Sequence, residues 1–266
     1  MLQTRLWTAI VALPATIAII LFAPNAAFTA FIAILIAWGL YEIIAMTHPS
    51  VLDTTCMILI GVCFAAVVEL GGPHGFKWLP VAIALLTGLM MLQLVVRVAQ
   101  KGADAVLRNR WLLAAGALWV GVLFPYFALL RNHPGGIPII ILMLLLVVAS
   151  DSGAYFVGRS LGRTKLLPRV SPNKTVEGAI GGLAACVVAG IILRPLLAPS
   201  WRIGSAIIMA VVVGVLAQFG DAAGSAFKRV AGVKDSGWIF PGHGGLLDRT
   251  CSLVFATAFT YYYLCG

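Results

Sequence analysis

Apolar runs of about 20 residues, separated by short clusters of glycine, proline and charge, recur along this chain from one end to the other. Wound as a helix, a run of that length crosses about 30 Å of hydrocarbon. The pattern predicts nine membrane-spanning helices, over residues 6–23, 26–46, 54–71, 77–96, 111–130, 137–158, 175–196, 202–220 and 248–265. The first run, with Arg5 ahead of it and small residues near Ala23, has the outline of a signal peptide. It is long, and another span follows almost at once, so it reads as a retained span. The expected fold is an all-α integral membrane protein, a polytopic bundle of about nine transmembrane helices forming a single membrane domain over residues 1–266.

Polar residues interrupt this pattern unevenly. The first five spans carry Glu42 and Glu69 as their only acids and are joined by turns such as APN and GGPHG, so residues 1–135 read as scaffold. An acid within a span usually faces protein or water, so either glutamate is a candidate functional group, but both fall near span ends, where solvation is the plainer reading. Residues 136–266 hold three polar islands and read as the catalytic part. The islands are SDSGAYFVGRSLGRTKLLPRVSPNKTVEG (150–178), QFGDAAGSAFKR (218–229) and KDSGWIFPGHGGLLDR (234–249). Glycines four residues apart, Gly178 with Gly182 and Gly220 with Gly224, predict close helix–helix approaches.

Composition adds a compartment and an orientation. With 61% hydrophobic and 10% charged residues the chain lacks the polar surface a water-soluble globule needs. A cytoplasmic N-terminus puts Arg5, the basic residues of 97–110, those of 159–174, and Lys228, Arg229, Lys234 and Arg249 on the cytoplasmic side. The other side then holds only Lys77, Arg131, Arg194 and Arg202 of the 18 basic residues. This satisfies the positive-inside rule and places all three islands in the cytoplasm, with the C-terminus outside. The net charge of +9 sits in loops beside the membrane, so it points to lipid phosphate and soluble anions and not to nucleic acid. Five cysteines, an odd number without metal-type spacing, read as small core residues.

Asp221, Ser225 and Lys228 are spaced by four and three residues, so a continuing helix projects them from one face. A carboxylate and a hydroxyl are hard ligands for Mg²⁺, and a lysine beside them would meet a phosphate shared with the metal. The bland alternative is a solvated helix end with a local Asp–Lys pair. Further on, Pro241, Gly242, His243, Gly244 and Gly245 must form a turn. A helix starting near Leu246 would aim its N-terminal amides at a phosphate over that turn. Asp248, in the first turn, suits the helix dipole and is also the obvious second metal ligand. His243 reads as an anion donor or turn stabiliser, since an ionised phosphate needs no base. In the first island, Ser150, Asp151 and Tyr155 close span six. Ser171 before Pro172 reads as a helix cap that brings Lys174 near a dipole-positive terminus. Arg159, Arg163, Lys165 and Arg169 serve equally as topology signals or headgroup contacts.

The run Ser225-x-x-Lys228-Arg229, then Lys234-Asp235, then Pro241-Gly242-His243-Gly244-Gly245-x-x-Asp248-Arg249 resembles the signature of the phosphatidate cytidylyltransferase family, the CDP-diacylglycerol synthases. SDSGAYFVGRSLGRTKL and SPNKTVEG are similar to stretches upstream of that signature in bacterial members. The resemblance implies a Mg²⁺-dependent enzyme that joins CTP and phosphatidic acid into CDP-diacylglycerol and pyrophosphate at the cytoplasmic face of the inner membrane, with a possible second cation and a possible homodimer. On this reading Asp221, Ser225 and Asp248 hold metal, while Lys228, Arg229, Lys234 and Arg249 stabilise phosphate charge. Ser150, Asp151, Lys174, Asp235, His243, Gly244 and Gly245 then contact substrate. The chain departs from the family pattern at Cys251, where members commonly carry another aspartate. A CTP-dependent kinase of a polyprenol-type alcohol needs a similar pocket, and an anion or lipid transporter also places charge in broken helices.

Overall fold

The computed structural model describes residues 14–48, 51–71, 78–101, 111–239 and 244–265. Helix dominates because a backbone in hydrocarbon must satisfy its own N–H and C=O groups. A helical stretch at 14–22 precedes α1 (Asn25–Thr47), α2 (Val51–Gly71), α3 (Trp78–Lys101), α4 (Trp111–Leu123), α5 (Pro125–Asn132) and α6 (Gly136–Leu161). Two short strands follow, β1 (Lys165–Leu167) and β2 (Ser171–Thr175), then α7 (Val176–Leu197), α8 (Ile203–Val230) and α9 (Leu247–Cys265). Among the described residues five stretches are long and apolar enough to cross a membrane: Asn25–Thr47, Ala114–Asn132, Gly136–Leu161, Val176–Leu197 and Ile203–Val230.

The expected fifth span is present as one membrane-length stretch, divided at Phe124–Pro125 into α4 and α5. Pro125 has no N–H to donate, and the helix restarts there as α5. Together α4 and α5 supply the innermost packing, with Trp119, Leu123, Phe124, Tyr126 and Leu130 fully buried. They belong to one apolar cluster that includes Ile43 of α1, Met143 of α6 and Phe227 of α8, so the two halves of the chain share a core. In contrast α7 turns Ile180, Val188, Ile192 and Leu196 outward, as a lipid-facing helix would.

Close approach follows the glycine pairs. A Cβ on Gly182 would lie 2.6 Å from Ser150 O, and one on Gly178 would lie 2.8 Å from Ala154 O, so α7 rests on α6 backbone to backbone. Gly220 and Gly224 do the same for α8 and α9. Their added Cβ atoms would sit 2.1 Å from Cys251 O and 2.9 Å from Cys251 Cβ. Van der Waals contact over small residues is the main cohesive force between helices in lipid, where lipid tails are as apolar as leucine.

At 28 residues α8 is about 42 Å long, well beyond a hydrocarbon slab, and its last turns carry the second polar island. The first island contains a feature the sequence reading missed, the antiparallel β1–β2 hairpin with Lys165 opposite Thr175 and Leu167 opposite Ser171. Ser171 is therefore not a helix cap. The hairpin claims residues 171–175 as strand, and Thr175 caps α7 instead, its side chain accepting from Gly178 N at 3.1 Å. Glu177 locks the junction by accepting from the amides of Arg163 and Thr164, both at 3.1 Å. Pro172 is tolerated because each strand of a two-stranded sheet is an edge.

Two of the cysteines also depart from expectation. Cys186 and Cys251 are buried, but Cys56 and Cys265 are exposed on outer faces, where a bilayer makes an apolar thiol acceptable without a core. The side chain of Cys63 lies outside the described residues.

Candidate active site

From Asp221 to Lys228 the exposed positions of α8 are few. Ala222, Ala223, Gly224, Ala226 and Phe227 are buried, while Asp221, Ser225 and Lys228 stay partly open on one face. The predicted stripe exists, but its charges do not pair with each other. Asp221 forms an ion pair with Lys174 at the end of β2, and Lys228 forms one with Asp248 on α9. The local Asp–Lys pair of the bland alternative is thus replaced by two pairs that tie three polar islands together.

Cys251 stands between these pairs. Its Sγ lies 3.9 Å from Asp221 Oδ1, and it feels the charges of Asp221, Lys228, Asp248 and Lys174 together. Asp151, exposed on α6 ten residues before that helix ends, interacts electrostatically with Asp221 and Lys174 and so borders the same site. Ser150, one residue earlier, is fully buried, and its Oγ has no hydrogen-bond partner among the described residues.

Asp248 is the more enclosed of the two paired aspartates, with its side chain 5% exposed. Oδ1 faces Lys228. Oδ2 accepts from Ser236 N at 2.7 Å, Gly245 N at 2.9 Å and Ser236 Oγ at 3.1 Å. The turn that makes this possible needs Gly244, whose φ of +86° places it in the left-handed region and whose added Cβ would meet Asp248 Oδ2 at 2.5 Å.

The amides expected to await a phosphate at the start of α9 are already engaged. Gly245 N goes to Asp248, Leu246 N donates to Glu42 Oε1 at 2.7 Å, and Leu247 N donates to Glu42 Oε2 at 3.0 Å. A dipole-positive helix end has been neutralised by the chain's own carboxylates. Glu42 is consequently not a solvated span-end acid, since it is 2% exposed and bonded to another part of the chain. Residues 1–135 thus supply one carboxylate to the start of α9. The sequence signal for Glu42 was its place as an acid within an apolar run.

The remaining predicted residues divide. Lys234, Asp235 and Arg249 are exposed around the turn. Arg229 is also exposed but donates from Nε to Val170 O at 3.3 Å, so it docks the hairpin tip against α8. Arg169 reaches from that tip to Gln100 O at the end of α3. His243 lies outside the described residues.

Among the described residues no group of three or more His, Cys, Asp or Glu forms a metal cluster. The expected donors Asp221, Ser225 and Asp248 are hard oxygens of the kind Mg²⁺ takes, and each aspartate is paired with a lysine. Positive charge is therefore welcome at both carboxylates. Chemically the site offers two lysines and a rim of further cations to a polyanion, beside carboxylates suited to a divalent ion.

Comparison with known proteins agrees with this chemistry. The family model described as "Cytidylyltransferase family" matches residues 3–265. A phosphatidate cytidylyltransferase of Brucella suis biovar 1 (strain 1330) is 38% identical over 200 residues, covering 70% of this chain and 71% of its own. The one of Bacillus subtilis (strain 168) is 40% identical over 153 residues, 57% of each chain. That of Staphylococcus haemolyticus (strain JCSC1435) is 42% identical over 137 residues, 52% of each. With a match along nearly its whole length and a Lys228–Asp248 pair drawn from the signature run, the chain belongs to the cytidylyltransferase family.

Proposed function

We propose that this protein transfers a cytidylyl group from CTP to phosphatidic acid, giving CDP-diacylglycerol and pyrophosphate for phospholipid synthesis. The observation that carries the reading is the pair of ion pairs, Asp221–Lys174 and Asp248–Lys228, assembled around Cys251 from β2, α8 and α9. Relatives from three bacterial genera bear the same activity in their names.

The reaction balances simply. A phosphate oxygen of phosphatidic acid bonds to the α-phosphorus of CTP, the bond from that phosphorus to the bridging oxygen breaks, and pyrophosphate leaves with its electron pair. Negative charge accumulates on the equatorial and leaving oxygens, so positioning and electrostatics supply most of the acceleration. Lys174 and Lys228 exchange their aspartates for substrate phosphate. Arg249 and Lys234, exposed beside them, meet the outer phosphates of CTP. A divalent cation such as Mg²⁺, held by Asp221, Ser225 and Asp248, would neutralise phosphate charge and orient the triphosphate.

Placement follows from the same groups. One substrate is a lipid and the other a charged nucleotide, so the site belongs at an interface. The basic residues argue that this is the cytoplasmic face of the inner membrane. The nine-span topology with the N-terminus inside is part of this reading: among the described residues five stretches are long and apolar enough to span, and the charge asymmetry is what supports the orientation, while a homodimer would place two such sites on one membrane face.

Purified protein in vesicles, supplied with CTP, phosphatidic acid and Mg²⁺, is expected to yield CDP-diacylglycerol by mass spectrometry and one pyrophosphate per product. Release of CDP with a phosphorylated alcohol, in place of pyrophosphate, would assign the chain to lipid-alcohol kinases instead.

A further inference from the structure

Glu42 ties α1 to the loop that carries the active-site turn. Its Oε1 accepts from Trp38 Nε1 at 3.1 Å, one turn earlier on α1, and from Leu246 N at 2.7 Å. Its Oε2 accepts from Ser236 Oγ at 2.7 Å and Leu247 N at 3.0 Å. Ser236 is itself 4% exposed and also donates its amide to Asp248 Oδ2. Two carboxylates from helices more than 200 residues apart in sequence therefore converge on one serine and one helix start.

The loop is shaped to close on this acid. A Cβ on Gly237 would lie 2.7 Å from Glu42 Oε1, and one on Gly245 would lie 2.6 Å from both carboxylate oxygens and 2.2 Å from Ser236 Oγ. Side chains larger than hydrogen are excluded at both positions by the same group. Burying a carboxylate is unfavourable unless donors meet its lone pairs. Here donors reach both oxygens, and none of them is a basic side chain. A group kept only for solvation at a span end would require none of these contacts.

We propose that Glu42 is a positioning residue for cytidylyl transfer. It fixes Ser236 and the first turn of α9, and through them holds Asp248 in place beside Lys228. It touches no substrate. The inference rests on the reading of Asp248 as part of the reaction site, and it makes α1 a required component of that site.

The full-length protein in detergent or vesicles allows a test with two readouts, hydrogen exchange of the Gly245–Leu247 amides and steady-state turnover of CTP. Glu42→Gln keeps the volume but replaces one acceptor oxygen with a donor. It is expected to speed exchange of those amides by about tenfold or more and to lower kcat by about tenfold or more, with KM for CTP changed by less than about threefold. Ser236→Ala removes only the shared hydroxyl and is expected to lower kcat by about threefold to tenfold. The double variant is expected to lose no more than Glu42→Gln alone, since both act through one connection.

Unchanged exchange in Glu42→Gln, or faster exchange with wild-type turnover, overturns the positioning role. So do losses that simply multiply in the double variant. If Glu42→Gln does not fold, Ser236→Ala still decides, because wild-type kcat there overturns the proposal. Asp248→Asn separates this inference from its foundation. Wild-type turnover in Asp248→Asn overturns the reading of the site, whereas an inactive Asp248→Asn beside a fully active Glu42→Gln overturns Glu42's role alone.

Discussion

Lys174 and Lys228 each answer an aspartate, but in different surroundings. The Lys228–Asp248 pair is largely enclosed, with side chains 19% and 5% exposed, whereas Lys174 and Asp221 remain about a third open. Removing Lys228 leaves a largely buried carboxylate without its charged partner. Lys228→Ala is therefore expected to cost about 3 kcal/mol and to lower the melting temperature clearly in a detergent unfolding assay. Lys174→Ala, at a screened pair, is expected to cost less than about 1 kcal/mol. Both are expected to weaken CTP binding, so a CTP titration on the folded Lys174→Ala protein isolates the phosphate contact from stability.

Cys251 supports a second residue-scale expectation. Asp is close to Cys in size, so Cys251→Asp changes mainly charge, and it does so 3.9 Å from Asp221 and near Asp248. Three carboxylates around one point repel one another unless a cation joins them. Cys251→Asp is expected to melt lower than the wild type in a chelator and to recover more than the wild type does when Mg²⁺ is added. An equal response in both proteins would argue against a cation at Asp221 and Asp248.

At the scale of elements, the α8–α9 contact is built on backbone proximity. Gly220→Ala would force a methyl group into Cys251 O and is expected to prevent folding or to cost several kcal/mol. Gly204→Ala, at the open start of the same helix, has nothing within 4 Å of its added Cβ and serves as the neutral control. Recovery of monodisperse protein from a membrane extract distinguishes the two. The glycine pairs were readable because small residues at four-residue spacing have one structural meaning on a membrane helix. The hairpin was not, because Ser171–Pro172 carries a helix-start signal that only the pairing with Lys165–Leu167 and the latch of Glu177 overrule. Local capping rules see a few residues. Strand pairing is decided by a partner.

Across the whole molecule, the long apolar runs gave away the helices because a bilayer leaves the backbone few alternatives. Asp221, Ser225, Lys228 and Asp248 were legible for a different reason, since helical spacing and a glycine turn fix their faces. What the sequence concealed was company. Nothing local in the run around Glu42 announces Ser236, 194 positions later, and nothing near Asp221 announces Lys174 on a strand. The result is a site assembled from both halves of the chain, on helices whose common core includes α4 and α5. If the halves act as one unit, a helix from the first half should matter to catalysis as much as a loop from the second.

The reaction itself can be followed by the fate of phosphorus. Two preparations of CTP, one labelled at the α-phosphorus and one at the γ-phosphorus, are incubated with the protein, phosphatidic acid and Mg²⁺ in vesicles. Label from the α position is expected in CDP-diacylglycerol, with γ label appearing only in pyrophosphate, and both transfers are expected to collapse in Asp221→Asn. Label from the γ position entering lipid, or no lipid label at all from a folded wild-type protein, would contradict cytidylyl transfer at this site.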